Sequence, residues 1–211
     1  MGRFASESLF DRLGRVVCGA RCLPRKELFE AWELARRVRR LFRGGRIVDV
    51  AGGHGLLGQV LLLLDDSSSS ALIVDPHLPA SATTVQEALA RAWPRLAERV
   101  AFLACPFEAA ALGADDLVVS CHACGSLTDL VIGRAVSARA RVAVMPCCHD
   151  VRTCDVGALS GWLDPALAID ATRAARLQAR GYRVWTQSIP SDVTPKNRVL
   201  IGRPMGQARR S

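Results

Sequence analysis

The spacing of apolar positions changes at about residue 46. Between Lys26 and Phe42, Leu28, Ala31, Trp32, Ala35, Val38, Leu41 and Phe42 recur at helical intervals and form one stripe. Arg36, Arg37, Arg39, Arg40 and Arg43 lie mostly off that stripe, Pro24 stands where such a helix would begin, and Gly44 and Gly45 stand where it would end. The first 23 residues show no clear period. After residue 46, short β-branched runs alternate with helical segments. Residues 46–50, 71–75, 99–104, 116–120 and 141–146 read as strands, and 52–64, 84–96, 127–136 and 165–180 as helices. Residues 182–189 and 197–201 read as two last strands with no helix between them, and therefore as a hairpin.

This alternation predicts an α/β fold. The sheet is expected to be mostly parallel and covered on both faces, with seven strands in all, a C-terminal β-hairpin and an N-terminal helix. Residues 1–45 are expected to form a basic helical extension, 46–205 a single α/β domain and 206–211 a basic tail.

Composition narrows the class. Half of the 211 residues are hydrophobic and mean hydropathy is +0.17, which excludes disorder as the main state. The longest aliphatic run, Val60 to Leu64, is far short of the about 20 apolar residues that span a bilayer. No membrane association is expected. The opening M-G-R-F-A-S-E lacks an apolar signal core, so a cytoplasmic location is expected and the eight cysteines read as free thiols, metal ligands or catalytic groups.

Charge is unevenly spread. Residues 1–46 carry twelve Arg/Lys against five Asp/Glu, 47–172 seven against fourteen, and 173–211 nine against one. If the two basic termini meet, they form a face suited to a polyanion such as RNA. An Arg-rich background composition accounts for the same numbers. Oligomeric state is not encoded in any of these patterns.

Two groups of residues carry candidate chemistry. The first is V-D-V-A-G-G-H-G-L-L-G, Val48 to Gly58, which follows a strand and opens a helix. Glycines at 52, 53 and 55 let backbone approach a ligand closely, and Asp49 precedes them. Asp75 ends the second strand, where a carboxylate accepts hydrogen bonds from ribose hydroxyls, and Phe107 and Glu108 follow the third. The second group is S-C-H-A-C-G-S-L-T-D, Ser120 to Asp129, after strand four, with M-P-C-C-H-D, Met145 to Asp150, after strand five. Six of the twelve Cys and His residues thus fall on two adjacent loops, with Cys154 close behind in sequence.

The H-A-C-G-S-L-T-D segment is similar to the H-x-C-G-x-x-T-D signature of a broad methyltransferase family, whose companion after strand five is C-C-H or C-C-Y. That family includes the eukaryotic tRNA 2′-O-methyltransferases of the acceptor stem and several orphan methyltransferase-like proteins. The resemblance covers roughly Arg46 to Pro204, with K-E-L-F-E, Lys26 to Glu30, resembling a K-x-x-E segment ahead of it with one residue more between the charges. It implies a Rossmann-like class I methyltransferase that uses S-adenosyl-L-methionine (SAM). Asp49, Gly52, Gly53, His54 and Gly55 would then hold the methionine part, with Cys121 beside them. Asp75 would hold the ribose, and Phe107 and Glu108 the adenine. The sequence contains no zinc-finger segment like those of the eukaryotic tRNA enzymes.

Three chemistries fit the Cys/His cluster. In the leading reading His122 or His149 is a general base for the acceptor, since imidazole titrates near neutral pH. The second is a metal site, zinc above all, with Cys121, Cys124, Cys147, Cys148 and His149 as ligands, although C-C-H lacks the paired two-residue spacing common in zinc sites. In the third, Cys121 or Cys147 is a covalent nucleophile, which requires a thiolate. The expectation is SAM-dependent methyl transfer to RNA or to a small molecule. The alternative is a non-catalytic metal- or RNA-binding protein on a degenerate methyltransferase fold.

Overall fold

The computed structural model describes residues 4–206. Seven strands form one sheet: β1 (Ile47–Val50), β2 (Ala71–Val74), β3 (Val100–Leu103), β4 (Leu117–Ser120), β5 (Arg141–Val144), β6 (Tyr182–Ser188) and β7 (Arg198–Pro204). Their order is β3-β2-β1-β4-β5-β7-β6, with β1 to β5 parallel and β7 antiparallel to both neighbours. The expected α/β sheet with its terminal hairpin is therefore present. Chain order reverses between β1 and β4, and ligands in such sheets bind where that reversal opens a crevice at the carboxyl ends of the strands.

Among the described residues six α-helices flank the sheet: α1 (Leu9–Ala20), α2 (Arg25–Leu41), α3 (Leu56–Leu64), α4 (Ala82–Ala92), α5 (Ser126–Ser137) and α6 (Pro165–Ala179). Two cores result. One joins α1, α2 and α3 to the sheet through Leu13, Leu28, Leu34, Val38, Leu61 and Ile73; the other lies on the opposite face around Val48, Val118, Val131, Val142 and Tyr182. Among the described residues no helix is long and apolar enough to cross a membrane.

Two sequence expectations need correction here. The opening residues, which show no period, contain α1. Ser8 caps it by accepting from the Asp11 N–H, and only Leu13, Gly14 and Val17 are buried, with Phe4 lying where a side chain at 14 would stand. Arg39, expected off the apolar stripe, is buried. Its guanidinium donates to the Leu61 carbonyl at 3.0 and 3.1 Å and pairs with Asp65 at 3.1 Å. Burial brings its pKa down to about 10, with Asp65 opposing that shift. Asp65 is itself pushed up by burial, but bonds from Ser67, Gly44 and Ser68 and the charge of Arg39 outweigh this and hold it below the usual carboxylate range.

Candidate active site

The glycine loop joins β1 to α3 at the carboxyl edge. Its backbone is unusual at Ala51, Gly53 and Gly55, with φ of 53°, 50° and 69°. Left-handed φ is uncommon for alanine and marks a turn held by its surroundings. The glycines serve different ends. A Cβ at Gly52 or Gly55 would lie 2.8 or 2.7 Å from Ile73 side-chain atoms of β2, so these two glycines let the loop settle on the sheet. A Cβ at Gly53 would meet nothing within 4 Å. Gly53 therefore leaves open space over its backbone, the kind of cradle a ligand fills.

Two carboxylates grip this loop. Asp75 Oδ2 accepts from the Gly53 N–H at 3.0 Å, and its Oδ1 accepts from the His77 N–H at 2.9 Å. Asp49 is buried, and its Oδ2 accepts from the Gly58 N–H in the first turn of α3 at 2.9 Å. Burial pushes Asp49 up to about 7, with Gly58 opposing the shift and Asp75 adding to it. His54 Nε2 lies 2.8 Å from Ser81 Oγ just ahead of α4, which ties the imidazole to that helix start.

The loop after β4 is sewn to the glycine loop. Ser120 Oγ donates to the Val50 carbonyl at 2.7 Å and accepts from the Ala123 N–H at 3.0 Å. This brings Cys121 and His122 into one pocket with Asp49, Gly52 and His54, and α2 closes it with Glu27 and Ala31. Cys121 is buried, and burial, with the Asp49 charge, pushes its thiol well above its ordinary pKa; that setting disfavours a thiolate. His122 is exposed, and its ring makes no hydrogen bond among the described residues.

Further along the H-A-C-G-S-L-T-D segment, Gly125, Thr128 and Asp129 hold the loop's backbone in place. Gly125 has φ 55° and ψ −128°, a region open essentially to glycine alone, and it leads into α5. Thr128 Oγ1 donates to the Ala123 carbonyl at 2.6 Å, and Asp129 accepts from Arg173 at 2.7 and 2.9 Å. His149 is turned away from the pocket: its buried Nε2 lies 2.9 Å from both carboxylate oxygens of Asp170. Asp170 also accepts from Arg198 at 2.7 Å. Burial pushes Asp170 up, but the bonds from His149 and Arg198 outweigh it and hold the carboxyl below its ordinary value.

Of the five residues weighed as metal ligands, three converge. The sulfurs of Cys124, Cys147 and Cys148 all lie within 4.8 Å of one another. Cys154, near them in sequence, instead sits buried under Arg173, whose Nη2 is 3.4 Å from its sulfur. Phe107 is buried in the second core with the Arg134 guanidinium 4.7 Å from its ring centre, while Glu108 is exposed. A separate cavity of about 540 Å³ opens between α6 and the β6–β7 hairpin, lined by Pro146, Asp170, Thr186 and Arg198 among others. Sequence reasoning gave no role to Ser120, Glu27 or Asp170; the first two lie within segments it did single out, and no motif marks the third.

Residues 33–154 match the sequence profile of the methyltransferase domain. The chain belongs to that methyltransferase domain family. The match begins inside α2 and ends after β5, so it contains the glycine loop, both Cys/His loops and the strands that present them. No curated protein matches the sequence. In fold, this methyltransferase domain is similar to an O-methyltransferase family protein from Burkholderia thailandensis, at 21% identity and TM-score 0.50, with 97% of this chain and 63% of that chain covered. It therefore spans less than two thirds of that protein's length. It is also similar to a protein assigned as an RNA methyltransferase from Pyrococcus horikoshii (14% identity, TM-score 0.56, 93% and 98% covered) and to M. capricolum TrmK in complex with S-adenosyl-homocysteine (13%, 0.53, 83% and 69%). At these identities the likeness establishes the fold.

Proposed function

We propose that this methyltransferase domain uses SAM and transfers its methyl group to an acceptor held at the carboxyl edge of the sheet. The observation that carries this reading is the single pocket in which Asp49 of β1 and Gly52 and His54 of its loop meet Cys121 and His122 of the loop after β4. The open backbone at Gly53 suits the methionine portion, and Asp75 beside it is placed for the ribose hydroxyls. Asp49 and Glu27 add an acidic wall suited to the cofactor's ammonium and sulfonium charges. His122 is the base in this reading: it lines the pocket, is exposed and makes no competing hydrogen bond. The sulfonium is already a good leaving group, so the protein's main task is to align the acceptor with the methyl group. Titration calorimetry with SAM and S-adenosyl-homocysteine tests the cofactor. One site per chain for both is the expected result, and binding of neither to folded protein would refute the reading.

RNA is the acceptor class the charge distribution favours. Arg36 and Arg40 are exposed on α2, the helix whose Glu27 and Ala31 line the pocket. Transfer of labelled methyl from SAM to bulk RNA is the test, with Arg36→Glu/Arg40→Glu expected to weaken RNA binding and flatten its salt dependence. Transfer to small metabolites alone would favour a small-molecule acceptor instead.

A further inference from the structure

The three thiols that converge lie outside the cofactor pocket, whose lining includes Cys121 but none of Cys124, Cys147 or Cys148. They come from two loops fixed to each other: the Gly125 N–H donates to the Cys148 carbonyl at 3.2 Å. Each loop is fixed in turn to the body of the protein. The Arg173 guanidinium donates to the Gly125 carbonyl at 2.9 Å while holding Asp129, and His149, next to Cys148, is held by Asp170. The sulfurs are thus positioned by a rigid frame.

Their separations have chemical meaning. Cys147 and Cys148 sulfurs are 3.7 Å apart, and those of Cys124 and Cys147 are 2.8 Å apart. Zinc–sulfur bonds of about 2.3 Å in a tetrahedron put sulfurs about 3.7 Å apart. The first pair matches that figure, the second reaches it by an outward shift of about 1 Å, and the third pair, Cys124 and Cys148, lies within 4.8 Å. Cys124 immediately precedes Gly125, the N-cap of the twelve-residue α5, so its backbone is fixed where the loop enters that helix. Two of the three residues are exposed, which leaves a path for an ion and room for a fourth ligand.

We propose that Cys124, Cys147 and Cys148 form a three-thiolate site for a soft divalent cation, zinc foremost, with solvent or an acceptor group completing its coordination. All-sulfur donors select zinc over magnesium or calcium. Each thiol gives its proton to solvent as its sulfur–metal bond forms, with no change of oxidation state. The ion would clamp the β4 loop to the β5 loop next to His122. This proposal does not depend on the SAM reading, since the site shares no lining residue with the cofactor pocket.

The test uses the full chain, reduced and purified under nitrogen. Zinc is titrated in competition with a chromophoric chelator, and cobalt is titrated separately while its spectrum is recorded. One ion per chain, proton release, and an intense thiolate-to-cobalt charge-transfer band are expected. Cys124→Ser, Cys147→Ser and Cys148→Ser should each weaken zinc by at least about tenfold. Cys18→Ser on α1 should leave zinc affinity unchanged, with circular dichroism reporting the fold. If a variant does not fold, the cobalt spectrum of the unaltered chain decides alone, and absence of the charge-transfer band overturns the proposal. So does zinc affinity unchanged by all three substitutions, or a Cys124–Cys147 disulfide that persists in the anaerobic preparation.

Discussion

Ser120 and Val50 end neighbouring parallel strands, and the Ser120 hydroxyl reaches across to the Val50 carbonyl at 2.7 Å. The bond replaces a ladder contact at the point where both chains leave the sheet. It keeps the glycine loop and the His122 loop in fixed relation, which is what a transfer between a cofactor and an acceptor demands of its scaffold.

Asp75 is the residue through which cofactor affinity is most directly tested. Asp75→Ala removes a charged acceptor and frees the Gly53 N–H. Affinity for S-adenosyl-homocysteine should fall by about 1–3 kcal/mol. Calorimetry on variant protein with an unchanged melting curve checks it, and unaltered affinity would remove Asp75 from the ribose site.

His122 and Cys121 separate the base from the covalent reading. His122→Ala should retain cofactor binding and lower turnover by roughly 10²–10⁴-fold, the usual range for a general base. Cys121→Ser should have a much smaller effect, because its buried thiol is pushed up, away from the thiolate form. Turnover of labelled SAM with bulk RNA reads both. Abolished turnover in Cys121→Ser with near-normal turnover in His122→Ala would reverse the roles.

Asp49 predicts a pH dependence. With its carboxyl raised to about 7, the ligand-free protein holds a proton there that the unfolded chain has already lost, so this group's contribution to stability declines as pH rises from about 4 to about 7. A cationic cofactor favours the carboxylate and expels that proton. SAM affinity should therefore rise with pH up to about 7 and level off above it. Asp49→Asn should flatten the profile, which calorimetry in buffers of different ionisation enthalpy would detect. A flat profile in the unaltered protein would place the cofactor's charge elsewhere.

The Arg39–Asp65 pair predicts an asymmetry in stability. Both side chains are 4% exposed. Asp65→Ala strands a buried guanidinium and the Gly44 N–H, and should cost about 3–5 kcal/mol. Replacing both residues with apolar ones should recover part of that loss. Urea unfolding of both single variants and the double variant checks it, and a double-variant loss equal to the sum of the two single losses would show that the side chains act independently.

The strand pattern was legible because parallel strands are buried on both faces and read as unbroken aliphatic runs. I-V-D-V and L-V-V-S are buried at every position. The helix α1 was not legible: Gly14 and Gly19 interrupt it and its buried stripe is only Leu13, Gly14 and Val17, although Ser8 and Asp11 mark its start. At the site, the motifs located the right loops but did not separate roles within them. His122 and His149 look alike in sequence. Asp170, 21 residues beyond His149, is what turns His149 inward, and that partnership arises from the packing of α6. Arg39 was misread for a similar reason, because its partner Asp65 reaches it from the end of a different helix.

Ile73 has a consequence for how this loop can change over generations. Its two Cγ branches occupy the space that side chains at Gly52 and Gly55 would need. An alanine at 52 would meet Ile73 at 2.8 Å and Asp49 Cγ and carbonyl oxygen at 3.0 and 3.1 Å, so shortening Ile73 first relieves the tightest of the three contacts. The residue on β2, which faces no ligand pocket described above, thereby biases the order in which the glycine loop accepts substitutions. Comparing the melting temperatures of Gly52→Ala, Ile73→Ala and the double variant would expose that ordering as strong epistasis between positions 21 residues apart in the chain.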